Sequence, residues 1–160
     1  MDKTLRTIRS EIEKNKEGII PNVTLIIDTN ILADHAWSRD SNITYLIGEI
    51  VSEHPDFLIV VPQICKIEFK LFFSKSLPEQ YEIAYYISKD PEYGLLFDDA
   101  LIFSFAKLVG ASLESDSNVL FLTKDRDFEV EKVMKELNEV NIEVYFNSGG
   151  CVQRIKDLLA

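Results

Sequence analysis

Short apolar runs alternate along the chain with longer segments in which apolar residues recur at helical spacing. The short runs have the length and the β-branched and aromatic content of strands that are buried on both faces. They are Val23–Ile27, Phe57–Val61, Val119–Thr123 and Ile142–Phe146.

The longer segments have the apolar spacing of amphipathic helices. The predicted helices cover Leu5 to about Gly18, Ile43–Val51, Pro62 to about Ser74, Glu79–Ser88, Asp98–Val109, Phe128–Val140 and Val152–Leu159. The sequence N-S-G-G at residues 147–150 predicts a turn. Strands that alternate with helices in this way predict an α/β fold, a three-layer α/β/α arrangement around a central parallel sheet of four to five strands.

The chain of 160 residues is long enough for one domain with a sizeable core. It shows no internal repeat, no low-complexity tract and no long linker. We therefore predict a single domain over residues 1–160, in which residues 1–18 form an N-terminal helical extension.

The two cysteines, Cys65 and Cys151, are far apart and lack metal-type spacing, so a disulfide framework is not expected. No apolar run is long enough to cross a bilayer, and the N-terminus lacks the apolar centre of a signal peptide. We expect a cytoplasmic protein with no membrane partner. The net charge of −10 argues against a passive nucleic-acid coat, but not against an enzyme whose acids are neutralised by cations.

Two acids follow apolar runs at corresponding places. Asp28 ends I-I-D-T-N, and Asp125 follows the run that ends in Thr123. Ligands of open parallel sheets bind beyond the carboxyl ends of the strands, so both acids are candidates for chemistry. The alternative is that each is a helix-capping acid, for which Asp is a favoured residue.

Glu68 is a third candidate. On a helix that begins at Pro62, it falls among apolar residues, on the side opposite Lys66 and Lys70. A surface glutamate would be expected on the lysine side. The competing explanation is a structural ion pair with Lys75, two helical turns further on.

Asp99 repeats this pattern, since Ile102, Phe103 and Ala106 share its helix face. An acid in a first helical turn is also stabilised by the helix dipole, which is the structural alternative for Asp99.

If Asp28, Glu68, Asp99 and Asp125 do converge, their negative charges need positive charge nearby. One or two hard cations, Mg²⁺ or Mn²⁺, would supply it through oxygen ligation.

The same acids lie in motifs that resemble those of the PIN-domain nucleases, the family that includes VapC-type toxins. D-T-N at Asp28 is similar to the first motif of the family, and Glu68 to the second. D-A-L-I from Asp99 is similar to the third, and T-K-D-R-D-F from Thr123 to the fourth. The resemblance covers about Leu25 to Phe146, and it implies a five-stranded parallel sheet.

The resemblance also implies an activity, a metal-dependent endoribonuclease that hydrolyses RNA phosphodiester bonds. Asp28, Glu68, Asp99 and Asp125 would then be both the catalytic residues and the Mg²⁺ or Mn²⁺ ligands. The accessory residues would be Asn30 and Thr123, which orient carboxylates, Asp127 as a further acid, and Arg126 as a phosphate contact. The implied partners are an RNA substrate, a protein inhibitor of the toxin–antitoxin kind and a second copy in a homodimer.

Two other functional classes stay open at this point. A phosphotransfer domain, either a receiver or a haloacid-dehalogenase-like phosphatase, also places an Asp at the end of its first strand. It does not explain an acid within an apolar helix face. A non-catalytic scaffold that binds RNA or protein would keep the sheet without needing the acids.

Overall fold

Five parallel strands form the centre of the protein. The computed structural model describes residues 3–32, 40–62, 72–74, 78–113 and 116–160. The strands are β1 (Val23–Ile27), β2 (Phe57–Pro62), β3 (Phe72–Ser74), β4 (Asn118–Leu122) and β5 (Ile142–Tyr145). Their order across the sheet is β3-β2-β1-β4-β5, and every neighbouring pair is parallel. The prediction of a central parallel sheet is confirmed.

Helices connect the strands and cover both faces of the sheet. They are α1 (Lys3–Asn15), α2 (residues 41–53), α3 (Pro78–Lys89), α4 (Phe97–Ser112), α5 (Glu131–Glu139) and α6 (Ser148–Leu159). Helix α2 consists of an α-helical segment Ser41–Tyr45, a π-helical segment Leu46–Ile50 and a last α-helical segment Val51–Glu53. Residues 29–32 form a helical turn after β1, and Arg126–Glu129 form a 3₁₀ turn after β4.

Two separate apolar cores lie on the two faces of the sheet. Side chains of a strand point alternately to opposite faces, so Ile26 packs into one core while Leu25 and Ile27 pack into the other. The first core is closed by α1, α3, α4 and α5, and the second by α2, α6 and the 29–32 turn. The three-layer α/β/α prediction is therefore confirmed.

The N-terminal helix belongs to the first core. Ile8 and Ile12 of α1 are 2% and 0% exposed, and Arg9 forms an ion pair with Asp116. These two isoleucines are therefore not available as contacts for a second copy of the chain.

The direction of strand addition reverses between β1 and β4. From β1 the chain adds β2 and then β3 on one side, whereas β4 and β5 are added on the other. The connections leave a crevice at such a reversal, beyond the carboxyl ends of the two central strands, and ligands bind there in open sheets. The register pairs Ile27 with Leu122, so the residues after them emerge side by side.

The predicted helix from Pro62 to about Ser74 is wrong at both of its ends. Pro62 is the last residue of β2, and Phe72–Ser74 pair with β2 as a short edge strand. Three residues are too few to show a strand period, so the apolar Phe72 also fits a helical pattern. Pairing with β2, which the local sequence does not reveal, determines that the segment is a strand. The residues between, which include Glu68, lie outside those described.

The predicted turn at residues 147–150 is also wrong. Asn147 is the N-cap of α6, and its side chain accepts a hydrogen bond from Gly150 N at 2.7 Å. Ser148, Gly149 and Gly150 form the first helical turn. Residues common in loops are also common at helix starts, because a capping side chain replaces the missing backbone partner.

Gly110 allows close packing between α4 and β5. A Cβ atom at Gly110 would lie 2.8 Å from Ile142 Cδ1 and 2.9 Å from Ile142 Cγ1, whereas one at Gly48 in α2 would meet nothing within 4 Å.

Replacing either glycine, Gly110 or Gly48, by alanine gains helix propensity of about 1 kcal/mol. We expect Gly110→Ala to be less stable than Gly48→Ala by about 1–3 kcal/mol, because only the former overpacks the core. Urea unfolding of both variants measures this, and equal stabilities would contradict the packing argument.

Candidate metal centre

The carboxylate of Asp28 is buried at the end of β1. It is 3% exposed, and each of its oxygens accepts a short hydrogen bond. Oδ1 accepts from the backbone N–H of Thr29 at 2.6 Å, and Oδ2 accepts from the hydroxyl of Thr123 at 2.7 Å. Asp28 is therefore held in a fixed orientation by the residue that follows β4.

The Thr123 hydroxyl connects three parts of the site. Besides donating to Asp28, its oxygen accepts from the backbone N–H of Asp125 at 3.0 Å and from Asn30 Nδ2 at 3.4 Å. One donor and two acceptor positions are all that a hydroxyl offers, so the group is fully used. Asn30 in turn accepts from the backbone N–H of Lys124 at 3.2 Å. Thr123 thus orients a carboxylate directly, while Asn30 acts on the Thr123 hydroxyl and the loop after β4.

Asp125 begins the 3₁₀ turn after β4. Its Oδ1 accepts from the backbone N–H of Asp127 at 2.9 Å, so Asp125 is a capping residue, which was the structural alternative for this acid. The same turn brings the Asp127 side chain beside that of Asp125. The capping hydrogen bond uses only Oδ1 of Asp125.

Asp99 reaches these two acids from α4. One carboxylate oxygen from each of Asp99, Asp125 and Asp127 lies within 4.8 Å of those of the other two. Asp99 is half-buried, whereas Asp127 is exposed, so the group opens to solvent on one side. Asp28 is not a member of this set of three, although its charge acts on Asp99 and Asp125.

The pKa values of two of the acids are raised. Burial first, and then the charges of Asp125 and Asp28, raise the pKa of Asp99 to about 7. A side-chain hydrogen bond with Asp125 raises this pKa further, because two charged carboxylates at this distance would repel each other. Burial also raises the pKa of Asp28 above its usual value, against the opposing effect of its hydrogen bonds to Thr123 and Thr29.

Basic side chains do not neutralise these acids within the described part of the chain. No ion pair between described residues involves Asp28, Asp99, Asp125 or Asp127. Arg126 is the nearest arginine in sequence. Its guanidinium pairs with Glu129 at 3.0 Å and lies 4.6 Å from the centre of the Phe146 ring.

The donor set fits a hard divalent cation. Mg²⁺ takes oxygen ligands at about 2.0–2.1 Å, so oxygens up to about 4 Å apart share one ion. The oxygens of Asp99, Asp125 and Asp127 approach this spacing. Among the described residues, these carboxylates have no basic partner, and the pKa of Asp99 is about 7. A bound cation would stabilise the charged form of such carboxylates.

Of the four acids proposed from the sequence, the structure places Asp99 and Asp125 within ligand distance of each other, together with Asp127. Asp28 is outside this set, but its charge acts on Asp99. The local signal was the D-R-D spacing, in which the first Asp can cap a turn by accepting from the backbone N–H of the second. Whether Glu68 joins them, or pairs with Lys75, concerns residues outside those described.

No protein-family model matches this chain, and no curated protein or solved structure is similar enough to count as a match. Within the described residues, no helix combines the length and the apolar character that crossing a membrane requires.

The raised pKa of Asp99 predicts that stability falls with pH. Its folded-state pKa is about 7 and its usual value is 3.8, so the folded protein binds more protons between these values and loses stability as pH rises through this window. In EDTA we expect Asp99→Asn to stabilise the protein at pH 8 by about 1 kcal/mol after allowance for solvent screening. That is about 2–4 °C in Tm.

Thermal melts from pH 5 to pH 8 measure this effect, with Asp98→Asn as the matched control, because Asp98 is an exposed acid on the same helical turn. If the stability of Asp99→Asn depends on pH as steeply as that of the unmodified protein, Asp99 is not the acid whose raised pKa causes the dependence.

Removing the Thr123 hydroxyl should cost stability. Thr123→Val keeps the side-chain shape but leaves the buried Oδ2 of Asp28 without its donor, which costs about 1–3 kcal/mol. Thr123→Ser keeps the hydroxyl and loses one methyl group, so we expect it to be the more stable of the two variants. Urea unfolding at pH 7 compares them, and the opposite order would show that this hydrogen bond does not support the site.

Proposed function

We propose that this protein is a metal-dependent endoribonuclease that hydrolyses phosphodiester bonds in RNA. The observation that carries the proposal is the convergence of Asp99, Asp125 and Asp127, beside the buried Asp28, at the reversal point of a parallel sheet. The motif resemblance to PIN-domain nucleases, which names the same acids, supports RNA as the substrate. The cytoplasm, where RNA substrates are found, is the proposed location.

Each acid has a distinct part in the proposed mechanism. Asp99, Asp125 and Asp127 would hold Mg²⁺ or Mn²⁺, one ion or two, and Asp28 would add negative charge from a fixed position. When bound, a hard divalent cation supplies charge stabilisation at the phosphate and activation of water. Because the pKa of Asp99 is about 7 and a ligating carboxylate must be deprotonated, we expect metal to bind more tightly as pH rises through 7.

Several parts of the proposal depend on the resemblance alone. Glu68 as a fourth ligand, Arg126 as a phosphate contact, a protein inhibitor and a homodimer stay predictions. Arg126 is exposed and adjacent to the acids, which suits contact with a phosphate, but it would have to leave Glu129 to make one.

A phosphotransfer function is the second candidate, and the environment of Asp28 argues against it. A phosphoacceptor aspartate must present an oxygen to the incoming phosphorus atom. Asp28 is 3% exposed, and both of its oxygens already accept short hydrogen bonds. A stable adduct with beryllofluoride would favour this candidate, because only an accessible phosphoacceptor forms one.

We expect Asp125→Asn and Asp99→Asn each to reduce RNA cleavage at least about 100-fold, because losing a group that only orients a metal ligand already costs about 10–100-fold in metal affinity or activity. Cleavage of a fluorescent RNA with Mg²⁺, Mn²⁺ or EDTA measures this. Asp98→Asn is the control and should cleave normally, since that side chain is exposed and outside the set. Full activity in both test variants would refute the site.

Metal binding can be tested without activity. Millimolar Mn²⁺ should raise the Tm of the unmodified protein and of Asp98→Asn, but not that of Asp125→Asn. If Mn²⁺ does not raise the Tm of any of the three proteins, the result would favour a non-catalytic scaffold.

A further inference from the structure

A cluster of charged and aromatic side chains joins the two segments that carry the candidate metal ligands. Asp99 lies in the first turn of α4, whereas Asp125 and Asp127 lie in the turn that leads into α5. The cluster, which we call the α4–α5 cluster, takes its residues from the loop before α4, from α4 and from α5. Its members are Asp90, Glu92, Tyr93, Lys107, Lys132 and Glu136.

Lys132 of α5 connects that helix to the loop before α4. Its ammonium lies 3.1 Å from a carboxylate oxygen of Glu92 and 3.5 Å from one of Asp90. The same group stands over the Tyr93 ring, 4.3 Å from the ring centre. A cation over an aromatic face is attracted by the ring quadrupole. One side chain of α5 therefore contacts three residues of the loop.

Tyr93 contacts both helices. The centre of its ring lies 5.7 Å from that of Phe103 in α4, and the Lys132 ammonium faces the ring from α5. The Tyr93 hydroxyl interacts with Glu136 of α5. Burial alone would raise the pKa of Glu136, but hydrogen bonds from Lys107 and Tyr93 outweigh burial and lower that pKa. The Tyr93 side chain therefore lies between α4 and α5.

A second ion pair joins α4 to α5 directly. Lys107 Nζ lies 2.7 Å from Glu136 Oε1. Glu136 follows Lys132 by one helical turn, so both side chains lie on the same side of α5. This side of α5 is thus attached to the loop before α4 by Lys132, and to α4 itself by Glu136.

The α4–α5 cluster is close in the chain to both groups of ligands. Only a few residues separate Tyr93 from Asp99, and Asp127 from Lys132. Phe128, which follows Asp127, is fully buried in the first core, so the turn is anchored beside the sheet. A shift of the loop against α5 would therefore change the distance between Asp99 and the acids of the turn.

The acids themselves work against this arrangement. One carboxylate oxygen from each of Asp99, Asp125 and Asp127 lies within 4.8 Å of those of the other two. Like charges at this distance repel, so the deprotonated acids favour a larger separation between α4 and the turn. A shared Mg²⁺ ion needs oxygens that are about 4 Å apart or closer. Contacts that hold α4 against α5 oppose the repulsion and keep the spacing that a cation needs.

We propose that Lys132 and Tyr93 are positioning residues of the metal centre. Through the loop before α4, they hold Asp99 at ligand distance from Asp125 and Asp127. Neither residue contacts the ion or the substrate in this arrangement. The inference rests on the proposed function, because it takes these acids as metal ligands.

The test is the dissociation constant of Mn²⁺, measured by electron paramagnetic resonance of the free ion at pH 8, above the pKa of Asp99. Lys132→Met keeps the aliphatic stem and removes the ammonium. We expect it to weaken Mn²⁺ binding about 5-fold, because a cation–π contact and two ion pairs are lost together. Tyr93→Leu removes the ring and should weaken Mn²⁺ binding in the same way.

Lys135→Met is the matched control, because Lys135 is exposed on the same helix and the substitution removes the same charge. Losing a positive charge near a cation site strengthens cation binding, so the charge change by itself predicts the opposite sign. Lys132→Arg keeps a cation that stacks on aromatic rings, and Tyr93→Phe keeps the ring, so both should bind Mn²⁺ nearly as the unmodified protein does. Thermal melts verify that every variant is folded at the temperature of the measurement.

Cleavage kinetics separate a positioning role from direct contact with the reacting atoms. Lys132→Met should need about 5-fold more Mn²⁺ for half-maximal RNA cleavage, and it should reach a nearly normal kcat at saturating Mn²⁺. A residue that touched the substrate or the reacting atoms would instead lower kcat at saturating metal, and that result would overturn the positioning role.

Failure of this inference is distinguishable from failure of the nuclease proposal. If the unmodified protein binds Mn²⁺ and Asp125→Asn does not, normal affinity in Lys132→Met and Tyr93→Leu would overturn the inference alone, even if their Tm falls. Equal losses of affinity in Lys132→Met and Lys135→Met would also overturn it. If the unmodified protein does not bind Mn²⁺, both the metal centre and this inference are rejected.

Discussion

The parallel pairing of β1 with β4 is the interaction on which the rest of the site depends. It sets Ile27 opposite Leu122, so that Asp28 and Thr123 leave the sheet side by side and form a hydrogen bond of 2.7 Å. Both strands are buried on both faces, and shifting either by one residue would exchange the two cores. The apolar cores therefore fix the position of the polar groups.

A concentration of negative charge follows from this arrangement. Asp28 and Asp125 follow neighbouring parallel strands, and α4 adds Asp99. No ion pair between described residues offsets the charges of these acids. Acids whose pKa values are raised by burial and by one another's charge are found more often at functional sites than elsewhere. A cation would convert the repulsion among these carboxylates into ligation, which is what the proposed function requires.

Much of the fold and part of the site were predictable from local patterns. Four of the five strands were predicted to within a residue or so at either end, because a short, continuous apolar run flanked by turn signals is typical of a buried parallel strand. Asp28 and Asp125 could be singled out as acids that follow such runs, and Asp99 as an acid on an apolar helix face. β3 was missed because its three residues carry no period of their own, and it exists only through pairing with the exposed edge of β2.

The sequence by itself determined the layers, the buried strands and the acids worth considering, because alternation between buried and exposed positions is a property of residues close together in the chain. Only the tertiary structure decided which acids meet, that Asp127 joins Asp99 and Asp125, and that Thr123 holds Asp28 in place. These contacts join segments far apart in the chain, and their distances depend on strand order and helix packing, which no local pattern encodes.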